Sequence, residues 1–182
     1  MNEEVSIERL KSKDIDAFHS LYKNYSKTIF RFALNMTSNK EFSEDIVQET
    51  FVRVYNRIDS FKPNKKLKKP IKSWIYKIAQ NYTISELRKS SKRKYTDLDE
   101  IYKFYDTERF KAENNFINSE DVKKIFNEVN KLSDKKKLTF NLFFVEELTA
   151  DEISSVMNEG RGIVLKRIQR IRKELKSLFE EE

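Results

Sequence analysis

The sequence predicts an all-α protein built as two small helical units. Three observations predict it. Only two glycines and two prolines occur in 182 residues, too few for a fold that depends on tight hairpins. Apolar residues recur at three- and four-residue steps through most of the chain, the period of a half-buried helix. Charged residues make up 37% of the chain against 38% hydrophobic, which suits two thin bundles better than one thick globule.

The elements follow in order. A first long helix starts near Asp14, with Ile15, Phe18, Tyr22, Tyr25, Ile29, Phe32 and Met36 on one face. Residues 37–42 interrupt it. A second helix runs from about Ser43 to Ser60 and turns Val47, Phe51, Val54 and Ile58 inward, with Phe61 just beyond. A basic loop, 62–69, follows. Pro70 then opens a third helix at a position where its missing N–H costs nothing. That helix reaches about Ser90 and buries some of Ile71, Trp74, Ile75, Ile78, Tyr82 and Leu87. Beyond it the period weakens, and acidic residues mix with Tyr102, Phe104, Tyr105 and Phe110, aromatics that argue against a fully disordered tether. Helices resume near Ser119 with Val122, Ile125, Phe126 and Val129 inward. Ser133 and Asp134 cap the next, which carries Leu138, Leu142, Phe143 and Val145. Thr149 then caps a short helix with Asp151 and Glu152 in its first turn and Ile153, Val156 and Met157 inward. Asn158 to Gly162 form a break holding both glycines of the chain, the residues that most freely adopt unusual backbone angles. The last helix places Val164, Ile168, Ile171 and Leu175 on one side. The domains expected are 1–93 and 119–182, joined by a linker at 94–118, with no internal repeat.

Charge falls in blocks. The chain carries +7 overall. Residues 61–95 hold twelve basic side chains against Glu86 alone, net +11, and residues 97–121 hold eight acids and three bases, net −5. Between 161 and 176, seven bases face Glu174 alone, net +6. Two cationic surfaces separated by an acidic stretch suit a protein that grips one polyanion at two places.

The same composition excludes much. With no cysteine there is neither a disulfide framework nor a thiolate metal site. His19 is the only histidine, so a zinc site is not expected, and it is read as a structural or surface residue. Two glycines cannot make a phosphate-cradling loop. No apolar run approaches a membrane span, and residues 1–14 lack the apolar core of a secretory signal. The expectation is a cytoplasmic protein with no membrane insertion, no cofactor, no metal and no enzymatic activity.

The last helix, with an apolar stripe and a cationic back, fits the recognition helix of a helix-turn-helix. A solvated basic face on an ordinary helical hairpin fits the same residues. The rest of the chain decides between them. Ser43-Glu44-Asp45-Ile46-Val47-Gln48-Glu49-Thr50-Phe51 is followed by Trp74-Ile75-Tyr76-Lys77-Ile78-Ala79-Gln80-Asn81, then Leu87-Arg88-Lys89, then the glycine turn and basic helix. In this order these words resemble the bacterial RNA polymerase sigma factors of the extracytoplasmic-function (ECF) type. The resemblance covers about 14–90, the family's region 2, and 119–178, its region 4.

The resemblance implies two helical domains that bind core RNA polymerase and promoter DNA, with an anti-sigma factor as regulator. Asp45, Gln48 and Glu49 would meet the clamp helices of the polymerase's largest subunit, where their residue types alone would pass for a solvated face. Asn64, Lys65, Lys66, Lys72, Trp74, Lys77, Asn81, Arg88 and Lys89 would hold the melted downstream element. Among these, loop 62–69, Lys77 and Asn81 would read it, the loop holding a flipped-out base. Lysines there neutralise phosphate, the Asn81 amide both donates and accepts, and Trp74, Tyr76 and Tyr82 offer faces for unpaired bases. Core packing of Trp74 is an equally open reading. Arg161, Lys166, Arg167, Arg170 and Lys173 would contact the upstream element as duplex. The acidic linker would thread the polymerase's active-site and RNA-exit channels, or serve as a solubilising tether. Three positions depart from the family pattern: Ile163 stands where threonine is usual, Leu165 where a basic residue is usual, and Ser85 where an acid is common. The competing reading is a stand-alone dimeric helix-turn-helix regulator, which leaves the Gln48-Glu49 and Trp74 helices without a role. A sequence-tolerant single-strand binder is a third.

Overall fold

The computed structural model describes residues 6–89 and 119–177, and every described element is helical. Tyr102, Phe104, Tyr105 and Phe110 of the acidic stretch lie outside the described residues. The chain divides into two compact units, Met1–Arg93 and Lys94–Glu182.

The first unit opens with a short helix, α1 (Ile7–Lys11), that the sequence period does not reveal. Ser6 caps it, and its Leu10 is fully buried. Then come α2 (Ile15–Thr37), α3 (Lys40–Arg57) and α4 (Pro70–Lys89), which all pack on one another. Asp14 caps α2 by accepting from the Ala17 N–H at 3.0 Å, as its residue type predicts. Ile29, Phe32 and Met36 are buried as expected, but the stripe is different toward the start of α2. Ile15 is 83% exposed and Tyr22 is 46% exposed, while Ala17 and Leu21 fill the core. The buried face is wider because α2 packs against α1, α3 and α4.

The break between α2 and α3 is shorter than the expected six residues. Asn39 caps α3 by accepting from the Phe42 N–H at 2.7 Å, so Lys40–Ser43 are already helical. Ser43 is turned inward, where its hydroxyl donates to the Asn39 carbonyl at 2.5 Å and sits 3.1 Å from the Thr37 hydroxyl. A single 3-10 turn, Ile58–Ser60, ends α3 and buries Ile58. The largest fully buried side chain is Tyr76 of α4, set edge-on to Phe32 of α2 at 5.5 Å.

The second unit contains α5 (Ser119–Lys131), α6 (Asp134–Phe140) extended by one π turn at Asn141–Val145, α7 (Ala150–Met157) and α8 (Arg161–Ser177). α8 packs on α7 and on α6, and Val164, Ile168 and Ile171 are its buried residues. Phe126 of α5 meets Phe140 of α6 edge-on at 6.0 Å. Thr149 opens α7 with a reciprocal cap: its hydroxyl accepts from the Glu152 N–H, and the buried Glu152 carboxylate accepts from the Thr149 N–H at 2.8 Å. Glu152 is therefore a capping residue more than a charge placed for the helix dipole.

The turn between α7 and α8 corrects one expectation. Neither glycine takes a left-handed angle; Asn158 does, with φ 52°. Asparagine is among the few side-chain-bearing residues that tolerate that region. The Ser154 hydroxyl then closes the turn by donating to the Glu159 carbonyl at 2.5 Å.

Candidate functional site

Three surfaces carry the residues singled out from the sequence. On α3, Ile46, Val47, Thr50 and Val54 face the core, so Asp45 and Gln48 are left in water. Glu49 differs: it is half-buried and accepts from Arg53 at 2.6 Å. The Arg53 guanidinium in turn lies over the Tyr82 ring of α4, 4.7 Å from its centre. Burial, together with the Glu86 and Glu49 carboxylates, raises the Tyr82 hydroxyl above its ordinary pKa. Glu49 thus belongs to a bridge between α3 and α4, and Asp45 and Gln48 make up the open part of this face.

The second surface is the basic loop with α4. Lys65 and Lys66 are exposed, and Asn64 organises the loop: its side-chain oxygen accepts from the Lys66 N–H at 3.0 Å. Asn81, Arg88 and Lys89 are exposed and Lys77 is half-buried. Asn81 and Arg88 line one open depression of about 460 Å³ with Gln80, Ile84 and Ser85. Lys89 is paired with Glu86 at 2.7 Å.

Two expectations on α4 need revision, and one open reading narrows. Lys72 is only 8% exposed, with its ammonium 5.6 Å from the centre of the Tyr76 ring, so burial against its own helix removes it from the cationic surface. Tyr76 is wholly buried and cannot offer a face to a base. Trp74 is half-buried against Phe61, with ring centres 5.0 Å apart, which supports core packing for the covered part of its ring.

The third surface is α8. Its buried stripe leaves Lys166, Arg170 and Lys173 exposed along the opposite side, joined by Gln169, an uncharged residue that the pattern of cations does not single out. Arg161 is exposed and pairs with Asp151 at 3.2 Å. Arg167 departs from expectation. Its side chain is 12% exposed and bonds Glu159 at 2.6 Å and the Thr139 hydroxyl at 3.1 Å. Lys135 reaches the same Glu159 carboxylate at 2.9 Å. Burial opposes the charge on Glu159, but the bonds from Lys135 and Arg167 outweigh it and hold the carboxyl below its ordinary range. Arg167 is a brace inside the motif, not part of its open cationic face. Arg172 likewise lies over the Phe143 ring at 5.3 Å.

Among the described residues no cluster of histidine, cysteine or carboxylate side chains could hold a metal ion, and no helix is long and apolar enough to cross a membrane. His19 is exposed on α2.

Residues 21–93 match the family model for Sigma-70 region 2. Over 183 aligned residues the chain is 32% identical to the ECF RNA polymerase sigma factor SigW of Bacillus subtilis, covering 94% of this chain and 96% of that protein. The chain belongs to the ECF RNA polymerase sigma factor family. This sigma factor is also 28% identical to SigM of Bacillus subtilis over 160 residues, covering 87% of this chain and 93% of that one. Its fold is shared with the sigma factor RpoE of Bartonella quintana, solved with the anti-sigma factor NepR, at TM-score 0.64 and 20% identity, covering 91% of this chain and 98% of that chain. CnrH, solved with the cytosolic domain of CnrY, aligns with TM-score 0.69 and 17% identity over 100% of this chain and 99% of that chain. The sigma factor is thereby a transcription initiation factor with helical region 2 and region 4 domains.

Proposed function

We propose that this sigma factor, acting in the cytoplasm, binds core RNA polymerase and directs it to a restricted set of promoters through three separate surfaces. Asp45 and Gln48 on α3, flanked by Glu49, dock on the basic clamp helices of the polymerase. The basic loop with Lys65 and Lys66, together with Lys77, Asn81, Arg88 and Lys89, holds the melted downstream element, where lysines neutralise phosphate and the depression beside Asn81 offers an amide and a guanidinium to one nucleotide. Lys166, Arg170 and Lys173 on α8 grip the upstream element as duplex, with Arg161 at the helix start. Residues 1–93 and 119–182 serve as the two working domains and 94–118 as the acidic linker. An anti-sigma protein is the proposed regulator, by membership of the family.

The observation that carries this reading is the division of α8: Val164, Ile168 and Ile171 are sealed into the unit while Lys166, Gln169, Arg170 and Lys173 all face water. A helix so divided is held by its own domain and free to enter a groove. A stand-alone dimeric regulator would use the same helix but would leave the exposed acidic face of α3 and the region 2 match without a task. Transcription in vitro tests the choice. The chain added to core polymerase lacking any other specificity subunit should produce discrete start sites on genomic DNA of the host. Binding of a palindromic duplex by the chain alone, with no start sites conferred, would select the dimeric regulator instead.

A further inference from the structure

The first turn of α8 contains two residues whose identity the described part of the fold does not account for. Gly162 takes no left-handed backbone angle, and a Cβ built there meets nothing within 4 Å among the described residues. In a helix, glycine is less favourable than alanine because it loses more backbone freedom on folding. Neither backbone geometry nor packing therefore explains a glycine at this point. Next to it, Ile163 is 56% exposed, a large apolar side chain held in water. Its amide donates to the Gly160 carbonyl at 2.9 Å, which fixes it within the first helical turn. It lies three and seven residues before Lys166 and Arg170, so the three share one side of the helix.

We propose that Ile163 reads a base: its side chain makes apolar contact with the 5-methyl group of a thymine in the major groove, and Gly162 leaves the helix backbone room to come that close. The proposal rests on the reading of α8 as the helix that binds the upstream element. The N-terminal residues of a recognition helix are the ones that reach base edges, and the thymine methyl is the one apolar group the major groove offers. The neighbours of Ile163 also favour this ligand. Lys166 and Arg170 stand on the same side of α8 as this one exposed isoleucine, a setting suited to a polyanion and not to an apolar protein surface.

The test uses the full chain assembled with core polymerase and a duplex library randomised over the upstream region. In the selected duplex each thymine is replaced in turn by deoxyuridine, which removes only the methyl group. One replacement should weaken binding of the wild-type assembly by about fourfold, the effect of exposing one buried methyl. The same replacement should leave Ile163→Ala unaffected. Gly162→Ala should weaken binding to the selected duplex while the thermal midpoint of the chain holds or rises. The proposal falls if no upstream thymine is sensitive, or if Ile163→Ala keeps the sensitivity. It falls also if Ile163→Ala loosens the grip on polymerase without DNA, because the isoleucine is then a protein contact. Lys166→Ala with Arg170→Ala separates the two levels. If that pair leaves binding to the selected duplex unchanged, the underlying assignment of α8 has failed; if binding collapses while uracil has no effect, only the role of Ile163 has.

Discussion

Arg167 and Glu159 meet at 2.6 Å across the turn that joins α7 to α8. The contact runs backward from α8, so the second helix of the motif is tied to the middle residue of the turn before it. Both side chains are largely covered, at 12% and 16% exposed. Thr139 on α6 adds a bond to the same guanidinium, and Lys135 of α6 adds one to the same carboxylate. Three elements are therefore fixed by one ion pair. An arginine that would otherwise count as a phosphate ligand is committed to holding the angle between the two helices.

Replacing Glu159 with glutamine should destabilise the second unit by about 1–3 kcal/mol, since removal of one partner leaves a covered guanidinium without its counter-charge. The pH dependence has a definite sign. The folded-state pKa of Glu159 lies below its ordinary 4.5. Its contribution is thus complete above about 4.5 and is lost as pH falls through the lower folded value. Urea denaturation followed between pH 6 and 3 should show that acid-side loss in the wild type and a smaller one in Glu159→Gln. Equal slopes for the two proteins would mean that the pair adds nothing to folding.

Lys137 on α6 gives the opposite case. Burial pushes its ammonium down to about 8, against the opposing pull of Asp134. A folded chain that holds the proton less tightly than the unfolded chain is penalised while the group stays charged. Stability should therefore rise as pH climbs from about 8 toward the ordinary 10.5. Lys137→Met, which keeps the length of the side chain without the charge, should add about 1–2 kcal/mol at pH 7 and remove that rise. Thermal melts of both proteins across this range decide it; a methionine variant that is less stable at pH 7 would show that the lysine has a compensating partner.

The fold was legible in the sequence because helical periodicity survives wherever a helix buries one face. It gave α3 and α4 nearly in full, and the sealed stripe of α8 except at its end, where Leu175 is only half-buried. What it could not show was competition among partners. Glu49, Lys72 and Arg167 have the right residue types for exposed contacts, yet each is occupied within the fold: Glu49 by Arg53 four residues on, which itself lies over Tyr82 of α4, Lys72 by the Tyr76 ring, and Arg167 by Glu159 across the start of α8. Asn39 could have been found, because an asparagine before an acidic first turn is a capping signal. Gln169 could have been found too, three residues after Lys166 and four before Lys173 on the open side of α8, since an amide can meet a base edge or a phosphate as a cation does. The role of Asn158 was hidden by the adjacent glycines, which draw attention as the usual carriers of left-handed angles.

On α3, the cleanest charge to reverse is Asp45. Glu49 is tied to Arg53, so reversing it would press two cations together under Tyr82 and confuse docking with folding. Asp45 is exposed and outside the core-facing stripe. Asp45→Lys should weaken association with core polymerase about tenfold or more, by placing like charge against a basic surface, while the thermal midpoint stays within a degree or two. Affinity measured by fluorescence anisotropy and a melt of the same sample check both halves. Unchanged affinity would count against α3 as the docking face.

The two kinds of cation on α8 should separate under salt. Lys166 and Arg170 face water; Arg167 is bound within the motif. If the first two neutralise phosphates, replacing both with alanine should reduce the slope of log affinity against log salt by about 1.8, at roughly 0.9 for each phosphate no longer neutralised. Stability should barely change, since surface substitutions remote from buried networks have small effects. Arg167→Ala should do the reverse: it should lower the denaturation midpoint of the second unit through loss of the Glu159 and Thr139 bonds, and leave the salt slope of the remaining folded protein close to wild type. Duplex binding titrated at several salt concentrations, beside denaturation of each variant, supplies both readouts. A slope that falls for Arg167→Ala as much as for an exposed lysine would show that the guanidinium leaves Glu159 to take up phosphate when DNA arrives.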